Sequence, residues 1–333
     1  MRIAIVKLSA LGDIVHAMIV LQFIKKFDNK ILIDWIVEES YKDLLDSHPD
    51  INKVHTINIR QVKKKKSLFA LNREFKKVRK LPFYDLVIDM QGLIKSAIIS
   101  RLIPSKETLG FDKFSAREKF ASIFYNKSFK SSYKINIIER NLALIEYALG
   151  FSVQTDQIYN KVPFLFSKIK KLSFHLPNSS KNILLIPGAS NGSKRYPFEK
   201  LAELTKFIDA NFFVIWGNKK EEILARKIKT ISPNVNICKR LKLDSLILLI
   251  SNIDLVIGPD TGPTHIAWAL NIPSITLFGP TPGYRNTYIT SINKIIESNS
   301  EVNPFKINKN DRSISEISVD DIIDLSNKLL EDH

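Results

Sequence analysis

The stretch from Ile253 to Pro282 limits the possible folds more than any other part of the chain. Leu255, Val256 and Ile257 form a short apolar run that fits a buried strand. Gly258-Pro259-Asp260-Thr261-Gly262-Pro263 is turn chemistry, with glycines free to adopt positive φ. Thr264 to Leu270 then has helical character, and Pro273 stops it. Ser274 to Phe278 is the next strand, closed by Gly279-Pro280. A strand that feeds a helix through a Gly/Thr loop leaves backbone N–H groups unpaired at the helix start. With the helix dipole they form an anion site, most often for phosphate. An ordinary βαβ turn reads the same way, and this stretch alone leaves both readings open.

The same alternation runs through the rest of the chain. Arg2 to Leu8 reads as a strand, Ser9 to Asp13 as a loop, and Ile14 to Phe27 as a helix. Strands are expected at 31–37, 54–59 and 84–90, with helices near 39–47, 68–80 and 91–102. An apolar segment at 108–111 precedes a helix start at 115–118, and a further helix spans about 135–149 before Gly150. Residues 151–181 break the rhythm and read as a small β-like tail followed by a linker. A second set begins at Asn182, with strands at 183–186 and 212–216, a short strand at 235–238, a helix after Pro197 and helices at 220–231 and 243–251. After Tyr288 the chain reads as irregular and polar. Ser318-Val319-Asp320-Asp321 resembles a capping box and starts a final helix to Leu330.

Strands alternating with helices imply parallel sheets covered on both faces. The expected class is α/β, with two Rossmann-like doubly wound domains. The expected limits are 1–165 for the first domain, 166–181 for a linker, 182–316 for the second domain and 317–333 for a C-terminal helix. Ligands of such sheets bind beyond the C-terminal ends of the strands. Two domains facing a cleft would offer one substrate from each side.

Composition narrows the function classes. One cysteine, Cys238, excludes a disulfide framework and points to a reducing cytoplasm. No apolar run reaches the roughly 18 residues of a spanning helix, and a strand at the very start leaves no room for a signal peptide. Residues 1–165 hold 28 Lys and Arg against 17 Asp and Glu, most of the chain's excess of +16. That asymmetry suggests an anionic partner for the first half: nucleic acid, an anionic membrane surface or a phosphorylated substrate. A lysine-rich surface without a specific partner is the plainer reading.

Several side chains stand where α/β proteins place chemistry. Asp13 follows the first strand and opens a helix, a position that suits a catalytic carboxylate and equally a helix cap. His16 lies one turn on and reads as a buried, hydrogen-bonded histidine. Ser190 and Lys194, in the loop that opens the second domain, suit phosphate oxygens. Glu221 or Glu222 could take a ribose hydroxyl pair or simply favour a helix start. There is no G-x-G-x-x-G after the first strand, no P-loop, no Cys/His cluster and no Asp-x-Asp. No metal site is expected, and a diphosphate would be neutralised by helix N–H groups and Lys194.

Taken together the motifs resemble the lipopolysaccharide heptosyltransferases of glycosyltransferase family 9. Lys7-Leu8-Ser9-Ala10-Leu11-Gly12-Asp13-Ile14-Val15-His16-Ala17 is similar to their N-terminal signature, in the form of type I rather than type II. Gly258-Pro259-Asp260-Thr261-Gly262-Pro263-Thr264-His265 is similar to the second signature. Gly110-Phe111-Asp112, Ser115-Ala116-Arg117-Glu118 and Glu139-Arg140-Asn141 also match. The resemblance implies a GT-B enzyme that transfers heptose, with inversion, from ADP-L-glycero-β-D-manno-heptose to the inner Kdo of Kdo-lipid A. Such an enzyme works in the cytoplasm, peripherally on the inner face of the inner membrane. It implies no required cofactor and no nucleic-acid partner, and leaves Mg2+ stimulation open.

By position, the resemblance makes Asp13 the general base. It assigns Lys194, Ser190, Thr261 and Gly262 to the donor phosphates, Asp260 and His265 to the heptose, Glu221 (or Glu222) to the ribose and the backbone near Leu241 to adenine. Ser9, Arg60, Arg117 and Arg140 fall to the anionic acceptor. The chain departs from the family at Met18-Ile19, where Leu-Pro is common, and at Ala189, where a hydroxyl is expected. Other readings stay open: a heptosyltransferase acting later in the core, a non-catalytic basic protein that binds nucleic acid or membrane, and a nucleotide-sugar epimerase of the same fold.

Overall fold

The computed structural model describes residues 1–332. They form two compact units, Met1–Phe164 and a second that begins at Leu165. In the first unit β1 (Arg2–Val6), β2 (Leu32–Glu38), β3 (Lys53–Ile57), β4 (Tyr84–Asp89), β5 (Ser105–Phe111) and β6 (Lys127–Phe129) make one parallel sheet in the order β3-β2-β1-β4-β5-β6. Its helices are α1 (Leu11–Met18), α2 (Val20–Phe27), α3 (Lys42–Leu45), α4 (Ile59–Lys65), α5 (Leu68–Arg79), α6 (Ile94–Leu102), α7 (Ile137–Leu149) and α8 (Thr155–Tyr159). The second unit repeats the plan. Its strands are β7 (Asn182–Leu185), β8 (Asn211–Val214), β9 (Asn236–Ile237), β10 (Leu255–Pro259), β11 (Ser274–Phe278) and β12 (Asn293–Glu297), in the order β12-β11-β10-β7-β8-β9. Around them lie α9 (Phe198–Leu204), α10 (Lys219–Ile231), α11 (Leu243–Ile250), α12 (Gly262–Ala269), α13 (Gly283–Asn286) and α14 (Val319–Glu331).

Both sheets reverse strand order beside their first strand, between β1 and β4 and between β7 and β10. Loops leaving the C-terminal ends of those strands diverge to opposite faces, which opens a crevice for ligand. Helices cover both faces, so the central strands are apolar on both sides rather than alternating. Ile3 to Val6 in β1 and Leu255 to Ile257 in β10 are all buried. Side-chain caps start several of the helices: Ser67 accepts from the Ala70 N–H at α5, Asn218 from Lys220 and Glu221 at α10, and Ser318 from Asp320 at α14. Gly150, at φ 78°, ends α7 in the left-handed conformation that a helix C-terminus favours.

At the N-terminal end of the first sheet a single buried carboxylate gathers neighbours from three other strands. Asp34 of β2 accepts from Arg2 (2.8 Å), Asn52 (2.7 Å) and the Tyr84 hydroxyl (2.6 Å), and lies 3.1 Å from His55 Nε2. Burial would raise the Asp34 pKa, but these partners outweigh it and hold the carboxyl well below its usual range.

The structure corrects several expectations. The β-like tail is α8, because Ile158 turns inward on a short helix opened by Asp156. The stretch after Tyr288 contains β12, an edge strand paired only with β11; its partly exposed side chains give little apolar signal. Ser115 to Glu118 is a turn rather than a helix start, with the Ser115 and Ala116 N–H groups returning to Asp112 O, and a 3₁₀ segment follows at Lys119–Phe124. The first helix divides at Ile19, within the Met18-Ile19 departure, although Ile19 keeps helical dihedrals. Residues 166–181 hold no helix or strand. The last helix, α14, packs on α9, β10 and β11. Among the described residues no helix is long and apolar enough to cross a membrane.

Candidate active site

Asp260 directly follows β10 and is 5% exposed. Four side chains converge on its carboxylate. Lys194 Nζ lies 2.7 Å from Oδ2 and His265 Nε2 3.0 Å from Oδ1; the Thr281 hydroxyl (3.0 Å) and Asn286 amide (3.3 Å) also donate to Oδ2. Burial works to raise the Asp260 pKa, but the Lys194 ammonium and the His265 ring override it and keep the group well below the usual carboxylate range. Asp260 is therefore an anion held beside a cation. Lys194 arrives from the loop after β7, across the strand-order reversal.

Thr261 is the N-cap of α12, and Thr264 Oγ1 closes the turn on Thr261 O at 2.7 Å. A helix start leaves its first N–H groups without intrahelical partners. Here Pro263 has none, and Thr261 and Thr264 share a capping box in which the Thr261 N–H reaches Thr264 Oγ1 at 3.4 Å, so the Gly262 N–H is the one left for a ligand. The unit thus sets a helix N-terminus and one ammonium next to a carboxylate, a combination that can hold an anion and a hydroxyl-bearing group together. Ser190 is exposed in the same loop as Lys194, and Ala189 beside it is buried.

Glu221 and Glu222, equivalent in the sequence, part company in the structure. Glu221 turns back to the strand ends: its Oε2 accepts the Gly217 N–H at 2.7 Å, and its carboxylate lies against Gly188. A Cβ at Gly188 would come within 2.5 Å of the Glu221 carboxyl carbon, so only glycine admits this approach. Glu222 instead pairs with Lys219 and Arg226 on α10, each at 2.8 Å. On the ribose role that the resemblance implies, Glu221→Gln should weaken ADP binding about tenfold, the scale of a hydrogen bond to a charged group, while Glu222→Gln leaves it near normal. Titration calorimetry checks this, and equal losses at both positions would remove the distinction. Leu241 lies half-buried in the loop between β9 and α11.

In the first unit Asp13 is exposed in the first turn of α1, and its Oδ2 accepts the Ala10 N–H at 3.1 Å. Capping and chemistry are thus not exclusive there: one oxygen serves the turn. Ser9 precedes it and is approached by Lys95 Nζ (3.3 Å) and Gln91 Nε2 (3.5 Å). Gln91 is itself fixed, its Oε1 accepting from Leu8 N at 2.7 Å and its N–H donating to the buried Asp89 at 2.8 Å. Arg60 and Arg117 are exposed; Arg60 lies over the Tyr41 ring at 5.1 Å. His16 is buried on α1.

Arg140, which the resemblance groups with the acceptor residues, is buried where Arg60 and Arg117 are exposed. It is 3% exposed, stacks on Phe111 at 3.7 Å and donates to Ser115 O at 2.5 Å. It braces the 112–116 turn that leads to Arg117 and does not offer a free guanidinium to an acceptor.

Sequence reasoning missed Gln91, Lys95, Thr281 and Asn286. Asp89-x-Gln91-Gly92 at the end of β4 and Thr281 after Gly279-Pro280 stand at strand ends beside the two crevices, and that position was the available signal. Burial lowers the Lys95 ammonium pKa; Glu38 and Glu118 oppose this, and Arg60 and Lys63 add to it.

A model of glycosyltransferase family 9 (heptosyltransferase) matches residues 70–313. Lipopolysaccharide heptosyltransferase 1 of Campylobacter coli is 40% identical over 347 aligned positions that take in the whole of both chains. The protein of that name from Pseudomonas aeruginosa is 30% identical, over 86% of this chain and 81% of its own. Among solved structures, Escherichia coli heptosyltransferase WaaC with ADP-2-deoxy-2-fluoro heptose aligns at TM-score 0.79, over 98% of this chain and 99% of that one, at 24% identity. Escherichia coli ADP-heptose heptosyltransferase II aligns at 0.73, over 100% and 99%, at 19% identity. These structures share the fold of both units.

Proposed function

Because the chain belongs to glycosyltransferase family 9, the heptosyltransferases, we propose that it moves L-glycero-D-manno-heptose from ADP-heptose to the inner Kdo of Kdo-lipid A. The observation that carries this reading is the buried Lys194–Asp260–His265 cluster at the start of α12. A nucleotide sugar needs an anion site for its diphosphate and polar partners for its sugar, close together, and this cluster supplies both. In this reading Lys194 and the helix start at Thr261 and Gly262 meet the diphosphate. Asp260 and His265 take heptose hydroxyls, Glu221 the ribose, and the backbone near Leu241 the adenine. The exposed Ser190 hydroxyl joins the phosphate side.

Asp13 takes the proton of the attacking Kdo hydroxyl as its oxygen bonds to the heptose anomeric carbon. The C1–O bond to the diphosphate breaks on the opposite face, so the configuration inverts and ADP leaves with the bonding pair. Charge develops on the departing phosphate, where Lys194 and the helix start stabilise it. No step is assigned to a metal ion. Ser9, Arg60 and Arg117 are assigned to the Kdo carboxylate and lipid A phosphates, with Gln91 and Lys95 positioning Ser9. The acceptor is lipid-linked, so the reaction is placed on the cytoplasmic face of the inner membrane, with the protein bound peripherally.

The test is transfer from ADP-heptose to Kdo-lipid A, following ADP release and acceptor mass together. A heptose-sized gain with ADP release is the expected result. ADP release without a heavier acceptor would point to an acceptor that already carries heptose. A folded protein giving neither signal would remove the reading.

A further inference from the structure

Five large apolar side chains stand out from one end of the first unit. Leu68 and Phe69 open α5 and are 83% and 82% exposed; Phe114, Phe120 and Ile123 follow β5 and are 70–72% exposed. The topology brings the two groups to one rim. The Lys119–Phe124 segment and α5 both pack on α6, while α1 and α2 pack on α7. In the parallel sheet α4 leaves the C-terminal end of β3 and α5 starts where α4 stops. The 112–124 segment leaves the C-terminal end of β5. Both groups therefore lie at the end that carries Asp13 and Ser9.

Cations interleave with them. Lys63 to Lys66 run directly before Leu68, and Lys113, Arg117 and Lys119 alternate with Phe114 and Phe120; all are exposed. The acidic residues of the second stretch, Asp112 and Glu118, are each tied to backbone N–H groups, although Glu118 itself is exposed. Glu118 accepts the Ile94 N–H at 2.7 Å, and Asp112 accepts from Phe114 and Ser115. The rim thus presents apolar tips in a predominantly positive field, with seven exposed cations around them against one exposed carboxylate, Glu118. Water penalises exposed phenyl and leucyl groups, and an anionic bilayer offers what this pattern needs: acyl chains for the tips and headgroup charge for the lysines.

We propose that Leu68, Phe69, Phe114, Phe120 and Ile123 insert into an anionic lipid surface while the flanking lysines bind its headgroups, presenting the acceptor end of the first unit to the bilayer. The proposal rests on the acceptor reading only for the identity of that end. The occupant is argued from charge and apolarity alone.

The test uses the full chain and vesicles of mixed phosphatidylcholine and phosphatidylglycerol. The chain should float with these vesicles, bind pure phosphatidylcholine far less, and be released by salt. The Phe69→Ser/Phe120→Ser pair should weaken binding about tenfold or more with an unchanged unfolding midpoint, since both rings are exposed. Phe69→Trp should shift its emission to the blue on anionic vesicles and be quenched by lipids brominated in the acyl chain.

Transfer to vesicle-embedded acceptor should fall in the double variant, while transfer to a deacylated, soluble acceptor stays unchanged. Equal vesicle binding by wild type and double variant overturns the proposal. So does wild-type self-association that the double variant loses without any vesicle binding, which would make the rim a contact between copies. If wild type transfers to neither acceptor, the enzymatic reading falls, and the vesicle result still decides this one.

Discussion

Replacing Asp13 with asparagine should leave ADP affinity within about twofold and lower heptose transfer by about 10² or more, the usual scale for loss of a general base. The substitution separates two roles the carboxylate could fill. Asp13 holds the turn before α1 by accepting the Ala10 N–H. An asparagine carbonyl oxygen can accept that same bond, so the turn and the fold persist, but an amide cannot take a proton from a sugar hydroxyl at neutral pH. Asp13→Ala, by contrast, removes the cap and the base together. Steady-state transfer beside ADP titration checks the expectation. Transfer by Asp13→Asn close to wild type would confine the residue to its structural bond.

Removing the Lys194 ammonium should cost about 10²-fold in ADP affinity and also lower the unfolding temperature. Two effects add. The diphosphate loses a charge-assisted partner, worth roughly 1.5–3 kcal/mol. Asp260, buried, loses its counter-charge, and a buried charge whose partner is deleted is strongly destabilising. The remaining donors, His265, Thr281 and Asn286, hydrogen-bond the carboxylate without a permanent positive charge. The diphosphate would then meet an uncompensated anion. Adding Asp260→Asn to Lys194→Ala should accordingly restore part of the lost stability, with a coupling of about 1–3 kcal/mol in the double-mutant cycle. ADP calorimetry and thermal unfolding of all four proteins measure both quantities. An ADP affinity unchanged by Lys194→Ala would exclude the lysine from the phosphate site.

Some of this is legible in the sequence. The apolar runs at β1, β10 and β11 are buried on both faces, so they read as nearly continuous hydrophobic blocks, and α5, α10 and α14 carry side-chain caps. Asp260 and His265 lie five residues apart across one loop, and their proximity follows from the strand–helix turn itself. The meeting of Lys194 with Asp260 spans 66 residues and depends on β7 lying next to β10, which periodicity does not encode. Glu221 and Glu222 have the same side chain at neighbouring positions; they face different directions on α10, and Gly188 leaves room for Glu221 at the strand ends, which no pattern of apolar residues reveals. The burial of Arg140 is hidden from the sequence for a related reason. A basic residue in a basic half looks like surface charge, and only the packing of Phe111 against its guanidinium shows that it is buried. The edge strands β6 and β12 went unseen because pairing on one side leaves them short and partly polar.

The carboxylate of Asp34 has a meaning beyond the bonds it makes. It joins β1, β2, β4 and the start of β3 at the end of the first sheet away from Asp13, so the order of four strands is anchored where no substrate is handled. The loops that touch ligands inherit a scaffold already fixed from below. They can change length and charge over evolutionary time without putting the sheet at risk, and a lineage that meets a new acceptor can alter the rim while the foundation stays as it is.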